Sequence, residues 1–190
     1  MRTLKLQIQL SIDGYIAGPN GEMDWMTWNW DDALKRYTDR ILEPVDCIVL
    51  GRRLAEGFIP HWAAVADNPN DPEYEAGQKF TNTPKVVFTK TLGESKWPNT
   101  VLAKADLVED VTQLKQQQGS DIYACGGASF VSALIKNRLI DEFHLFINPV
   151  ALGQGMPIFQ ELESKQDLKL VESTRFDCGI VVLNYGLKHD

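Results

Sequence analysis

Short apolar runs alternate with helix-type segments through most of this chain, and that alternation limits the fold more than any single motif does. Leu4, Leu6, Ile8 and Leu10 alternate with Lys5, Gln7 and Gln9, the two-residue period of a strand with one apolar face. Cys47-Ile48-Val49-Leu50 and the run over 85–89 suit central strands buried on both faces. Further strands are predicted over 100–103, 121–125 and 143–147. Helices are predicted over 33–42, capped by Asp31 or Asp32 and ended by Pro44, and over 107–118, stopped by Gly119. Another spans 128–137, with Phe130, Val131, Leu134 and Ile135 on one face. A short helix is expected over 54–58. The stretch 60–83 holds Pro69, Pro72 and little periodicity, so it reads as a surface excursion with one helical turn at 73–79. Two β-rich runs, 168–176 and 180–187, meet at Asp177-Cys178-Gly179 and read as a closing hairpin. The expected class is α/β: a mostly parallel central sheet, helices on both faces, and a C-terminal antiparallel hairpin.

The 190 residues suit a single domain over 1–190, with no linker between separate units. A formal net charge of −7 argues against a general nucleic-acid binder, while leaving room for a local basic pocket. Cys47, Cys125 and Cys178 lie far apart within apolar runs, which fits buried thiols in a reducing cytosol better than zinc or redox chemistry. His61, His144 and His189 have no metal-ligand spacing, so no metal is expected. The N-terminus opens directly on the alternating segment, without a signal-type apolar region. No apolar stretch approaches the roughly 20 residues that cross a bilayer. A cytoplasmic protein with no nucleic-acid or membrane partner is expected.

In open α/β sheets, ligands bind beyond the C-terminal ends of the strands. Four segments end there: 11–17, Gly51-Arg52-Arg53, Thr89-Lys90-Thr91 and Gly126-Gly127-Ala128-Ser129. Two glycines let backbone approach a ligand, and the helix that follows presents N–H groups and a positive dipole end to a phosphate. Ser129 adds a hydroxyl. The competing reading is a turn that only packs helix on sheet. Arg52 and Arg53 offer forked donors for phosphate, or are a solvated pair. Thr89 and Lys90 would suit the 2′-phosphate of NADPH. A GxGxxG fingerprint after the first strand is absent, which disfavours a standard Rossmann domain, and no GxSxG nucleophile motif occurs. Trp25, Trp28 and Trp30 can stack on a planar heteroaromatic substrate or pack beneath a loop. Asp13, Asp24 and Asp31 are the acids nearest the presumed cleft. Any of them can orient an amine or relay a proton, although Asp13 also suits a turn and Asp31 a helix cap.

Ser11-Ile12-Asp13-Gly14-Tyr15-Ile16-Ala17, Ile48-Val49-Leu50-Gly51-Arg52, Cys125-Gly126-Gly127-Ala128, Leu139-Ile140-Asp141-Glu142 and the run from Pro149 to Gly155 occur in one order across nearly the whole chain. That ordered set resembles the riboflavin-biosynthesis reductase family (RibD C-terminal domain), within the dihydrofolate reductase-like superfamily. The resemblance implies a dihydrofolate reductase-like fold and an NADPH-dependent reductase. Its substrate class would be that of 5-amino-6-(5-phosphoribosylamino)uracil reductase, a small heteroaromatic or ribosylamine. It also implies that the cofactor pyrophosphate lies over Gly126 and Gly127 and the helix start at Ala128, Ser129 and Phe130. Gly51, Arg52 and Arg53 would lie near the phosphates, and Thr89 and Lys90 near the adenosine 2′-phosphate. Ile16, Ala17 and Cys125 would lie near the nicotinamide, and Gln9, Ser11 and Asp13 on the substrate side. Trp25 and Trp28 are assigned to the substrate side by their stacking capacity alone, since the Trp-rich insert is unlike the pathway enzyme. The deaminase half of the bifunctional riboflavin enzyme, with its H-x-E and P-C-x-x-C zinc signature, has no counterpart here. Two alternatives stay open: dihydrofolate reductase proper, with Asp31 or Asp32 facing a pterin, and an NADP(H)-binding protein without turnover. Family members are commonly dimers, so a homodimer is expected, with the Val- and Ile-rich hairpin as its edge.

Overall fold

The computed structural model describes residues 1–188, so His189 lies outside the described residues. In chain order the elements are β1 (Leu4–Leu10), β2 (Tyr15–Ala17), α1 (Asp32–Leu42), β3 (Val45–Gly51), α2 (Arg52–Ala66) and α3 (Tyr74–Asn82). They continue with β4 (Lys85–Phe88), β5 (Thr100–Ala103), α4 (Leu107–Gln116), β6 (Asp121–Ala124) and α5 (Ala128–Lys136). The chain closes with β7 (Glu142–Ile147), β8 (Met156–Pro157), β9 (Leu168–Arg175) and β10 (Val181–Leu187). Eight of these strands form one sheet in the order β5-β4-β3-β6-β1-β7-β10-β9. Leu6 of β1 pairs with Ala124 of β6 on one side and Phe143 of β7 on the other, both in parallel. Only β10 runs against its neighbours, pairing antiparallel with β7 and β9. The fold is therefore α/β with a mostly parallel sheet and a C-terminal antiparallel hairpin, as the sequence pattern predicts.

The period of two on each strand divides the core between the faces. Leu4, Leu6, Ile8 and Leu10 meet Val111 and Leu114 of α4 and Val131, Leu134 and Ile135 of α5. Ile48, Leu50, Tyr123 and Phe146 meet Leu34 and Ile41 of α1, Ala55 and Ile59 of α2 and Phe80 of α3. Each fully buried aliphatic side chain contributes about 1.5–3 kcal/mol, so a one-residue slip of β1 would forfeit several such terms together. The second face of β1 is buried as well, which its glutamines do not suggest. Gln7 is satisfied there by the Tyr123 hydroxyl, which donates to its carbonyl at 2.6 Å. Such pairing lets a polar side chain enter a core without an orphaned group.

Two expectations change. The helix after β3 runs 15 residues, well past the expected 54–58, and carries Pro60 inside it. Pro60 lies on the exposed side of α2, where water can satisfy the Glu56 carbonyl that loses its N–H partner. The rest of the expected excursion contains α3, nine residues long rather than a single turn. Two short strands also escape a reading by periodicity: β2 and β8 pair antiparallel in a separate two-stranded sheet. Among the described residues, no helix is long and apolar enough to cross a membrane.

Candidate active site

Because β4, β3, β6, β1 and β7 are parallel neighbours, their C-terminal ends line one edge of the sheet. Thr89, Cys125-Gly126, Ser11 and Asn148 follow β4, β6, β1 and β7 directly, and Gly51 is the last residue of β3, between the ends of β4 and β6. The sequence-predicted segments are thereby brought together.

The ends of β3 and β6 interlock at its centre. Gly127 is the N-cap of α5 at φ 81° and ψ 94°, backbone that disfavours any residue with a Cβ. A Cβ built on Gly51 would lie only 2.9 Å from the Phe130 Cβ, so glycine is what lets the end of β3 approach the first turn of α5. One built on Gly127 would meet the Leu54 Cβ of α2 at 3.7 Å, and the Phe88 and Phe130 rings lie 5.2 Å apart. The starts of α2 and α5 thus sit side by side. Neither has a side-chain cap or an acidic residue in its first turn. By contrast, α1 is capped by Asp31 and followed by Asp32, and α4 is capped by Asp106 and followed by Glu109. The N–H groups of Ala128, Ser129 and Phe130 therefore keep their donor capacity, and two positive dipole ends converge.

Cationic side chains flank this point. Arg52 donates to Glu56 one turn along α2 at 2.8 Å, and Lys96 lies 3.9 Å from the same carboxylate oxygen. Arg53 is exposed beside them. Thr89 is buried, and its hydroxyl accepts from the N–H groups of Thr91 and Leu92, both at 3.2 Å. Lys90 donates to the Ala105 carbonyl at 2.8 Å. The set has the donor chemistry of a dinucleotide phosphate cradle: backbone N–H groups, hydroxyls and forked cations, with acids kept off both helix starts.

The other half of the edge is built around β1 and β7. Ser11 is fully buried; its hydroxyl donates to Asp13 at 2.7 Å and accepts from the Tyr15 N–H at 3.0 Å. Asp13 also accepts from the N–H groups of Leu152 at 3.1 Å and Gly153 at 2.7 Å. The Ser11 hydroxyl first, then those two amides, hold the Asp13 carboxyl down at about 2. Asp31 caps α1 through the Leu34 N–H at 2.8 Å and also takes the Cys178 N–H at 3.0 Å; these bonds lower its pKa. Both acids are ionised at neutral pH and engaged with backbone, so neither holds a proton to donate. Asp24 is exposed in the loop before α1. Burial pushes the Cys125 thiol up to about 12, which keeps it protonated beside the turn. Ile16 and Ala17 are buried on β2 behind Ser11.

A residue that sequence reasoning passed over ties this half together. Asn148 is fully buried; its Oδ1 accepts from the Thr27 N–H at 2.8 Å, and its Nδ2 donates to Gln9 at 3.2 Å. It thereby pins the tryptophan-bearing loop to the ends of β1 and β7. Its signal was an Asn-Pro step directly after a buried strand. Glu56 and Lys96 were also passed over, since nothing in their spacing marks them. Trp25 donates its indole N–H to the Glu22 carbonyl at 3.0 Å. Trp28 stacks on Trp30 at 6.5 Å and 19°, and Trp30 rests on Phe146 at 5.8 Å. One tryptophan of the three therefore anchors the loop to the core, while Trp28 stays 65% exposed.

Two cavities lie at the opposite edge, near the strand N-termini. One of about 190 Å³ is bounded by Lys5, Tyr37, Arg40, Glu142, His144 and Asn184, the other of about 430 Å³ by Arg2, Asp46, Lys85 and Thr100. Neither touches the glycine turns. His144 is a buried core residue whose Nδ1 bonds the Tyr37 hydroxyl at 3.0 Å. Among the described residues, no group of three or more His, Cys, Asp or Glu side chains is placed to hold a metal ion.

Comparison with known proteins agrees with this architecture. YyaP of Bacillus subtilis, a protein of uncharacterised function, is 33% identical over 186 residues, covering 97% of this chain and 94% of its own. A deaminase/5-amino-6-(5-phosphoribosylamino)uracil reductase from Thermotoga maritima superposes with a TM-score of 0.71 at 18% identity, over 98% of this chain and 57% of that one. Dihydrofolate reductase from Enterococcus faecalis, solved with NADP(H), superposes with a TM-score of 0.58 at 16% identity, over 98% and 97% of the two chains. The family model of the RibD C-terminal domain matches residues 2–182. With that match over nearly the whole length, the chain belongs to the RibD C-terminal domain family.

Proposed function

We propose that this protein is an NADPH-dependent reductase of the RibD type that passes a hydride to a small heteroaromatic or ribosylamine-type substrate. The observation that carries the proposal is the interlocked pair of helix starts at Gly51 and Gly127, both free of acids and side-chain caps, with Arg52 beside them. Family membership supports it, as do the fold likenesses to a uracil reductase and to an NADP(H)-bound dihydrofolate reductase.

In this reading the pyrophosphate lies on Gly126, Gly127 and the N–H groups of Ala128, Ser129 and Phe130, with Gly51, Arg52 and Arg53 alongside. Thr89 and Lys90 meet the adenosine 2′-phosphate. Ile16, Ala17 and Cys125 border the nicotinamide; Gln9, Ser11, Asp13, Trp25 and Trp28 border the substrate. The cofactor supplies the hydride from its nicotinamide C4, and the protein supplies position and a fixed electrostatic environment. Asp13 orients rather than protonates, because it holds the β1–β2 turn against the loop at Leu152 and Gly153.

Titration of NADPH into the protein, followed by tryptophan fluorescence, tests the reading. Binding is expected, together with NADPH oxidation on a suitable substrate. Arg52→Ala is expected to weaken NADPH about tenfold, the scale of one charge-assisted contact. An equal loss for NADH would place Arg52 on the pyrophosphate rather than the 2′-phosphate. NADPH that fails to bind would overturn the proposal.

A second reading, cofactor binding without turnover, is favoured by one observation: the carboxylates of Asp13 and Asp31 are both taken up by backbone N–H groups. Quenching by NADPH with no oxidation against pterins, pyrimidine ribosylamines or quinones would select it. We also propose that the chain acts as one domain in the cytoplasm and forms a homodimer. β9 ends the sheet, with Leu170 and Val171 51% and 63% exposed on it. Sedimentation at micromolar concentration checks the dimer.

A further inference from the structure

Charge is divided sharply along the ligand-binding edge. Around the ends of β3, β4 and β5 lie Arg52, Arg53, Lys90, Lys96 and Lys104, against Glu56, Glu94 and Asp106. Around the ends of β1 and β7 the balance reverses. Residues 11–31 carry Asp13, Glu22, Asp24 and Asp31 with no Lys or Arg, and residues 147–160 carry no charged side chain at all. The next cations along the chain, Lys35 and Arg36, are exposed in the body of α1.

The same half carries exposed apolar surface. Ile12 is 67% exposed, Met23 54% and Trp28 65%. Trp28 is not a loose side chain: Trp30 stacks behind it, Phe146 supports Trp30, and Asn148 fixes the backbone at Thr27. A pre-positioned aromatic face binds a flat ring with little ordering cost. The turn that closes this end adds Arg175, which ends β9 level with the end of β7, and Asp177. A phosphate placed here would still face more carboxylates than cations.

We infer that the substrate is a planar, phosphate-free heteroaromatic, neutral or cationic, bound beside Trp28, and not the phosphorylated ribosylamine on which the uracil reductases of this fold act. The inference rests on the reductase reading above and narrows it. The two ends of the edge then divide the work. The cationic half takes the phosphates of the cofactor, and the aromatic, acidic half takes the ring to be reduced.

The test is equilibrium binding to the protein saturated with NADP+. Three probes are compared: a pyrimidine ribosylamine 5′-phosphate, its dephosphorylated riboside and a bare dihydropterin. The phosphate-free riboside is expected to bind at least about tenfold more tightly than its phosphorylated partner, and the dihydropterin to bind as well. Trp28→Ala is expected to lower the affinity for both phosphate-free probes about tenfold, with Trp28→Phe retaining it and NADP+ affinity unchanged in either variant. Circular dichroism confirms that the variants fold. Equal or tighter binding of the phosphorylated probe overturns the inference, as does an unaltered affinity in Trp28→Ala. So does failure of all three probes to bind while NADP+ does. If NADP+ itself does not bind, the reductase reading falls, and this inference falls with it.

Discussion

Gly127 shows how much a single residue can decide at this edge. Its φ of 81° is costly for any side chain, yet nothing lies closer than 3.7 Å to a Cβ built there. The cost of Gly127→Ala is therefore conformational rather than steric, and urea unfolding is expected to show a loss of about 1–2 kcal/mol. Gly127→Val adds a branched side chain at the mouth of the turn and is expected to abolish NADPH binding in a fluorescence titration. Asp13 gives a pH signature at the same scale. Its folded pKa is depressed to about 2, so its stabilising effect is full above the ordinary carboxylate pKa and fades as pH falls through the folded value. The stability difference between wild type and Asp13→Asn, followed by urea unfolding, should shrink progressively between about pH 5 and pH 2.

Elements explain which parts of the molecule can be read ahead of the structure. β1, β3, β4 and β6 were legible because their periodicity and turn residues agree with their place in the sheet. Gly126-Gly127 and Gly51-Arg52 could be located because glycine has a local backbone reason to follow a buried strand. The second face of β1 was not legible, because Gln7 and Gln9 are buried by partners far along the chain, Tyr123 and Asn148. β2 and β8 were missed for the same reason: they pair across about 140 residues of sequence and are two or three residues long. The extent of α2 was misjudged because a proline ends most helices, and burial of Ala55 and Ile59 in the core and of Val65 beside Gly77 of α3 carries this one through Pro60. Since Pro60 faces solvent, Pro60→Ala should restore a backbone hydrogen bond without disturbing the core. Its expected effect is a gain of about 1–3 kcal/mol in urea unfolding, with slower hydrogen exchange along α2.

On the scale of the whole molecule, one sheet edge gathers residues from 9 to 154 into a single surface, anionic and aromatic at one end and cationic at the other. Fold and family follow from the ordered strands and the match over residues 2–182, whereas the chemistry rests on what that edge binds. A crystal structure of the protein grown with NADP+ tests this most directly. The predicted result is a cofactor with its pyrophosphate over Gly126 and Gly127, its adenosine 2′-phosphate beside Thr89 and Lys90, and its nicotinamide facing Ile16, Ala17 and Cys125. A cofactor seated in a cavity at the opposite edge, or none bound at saturating NADP+, would contradict it.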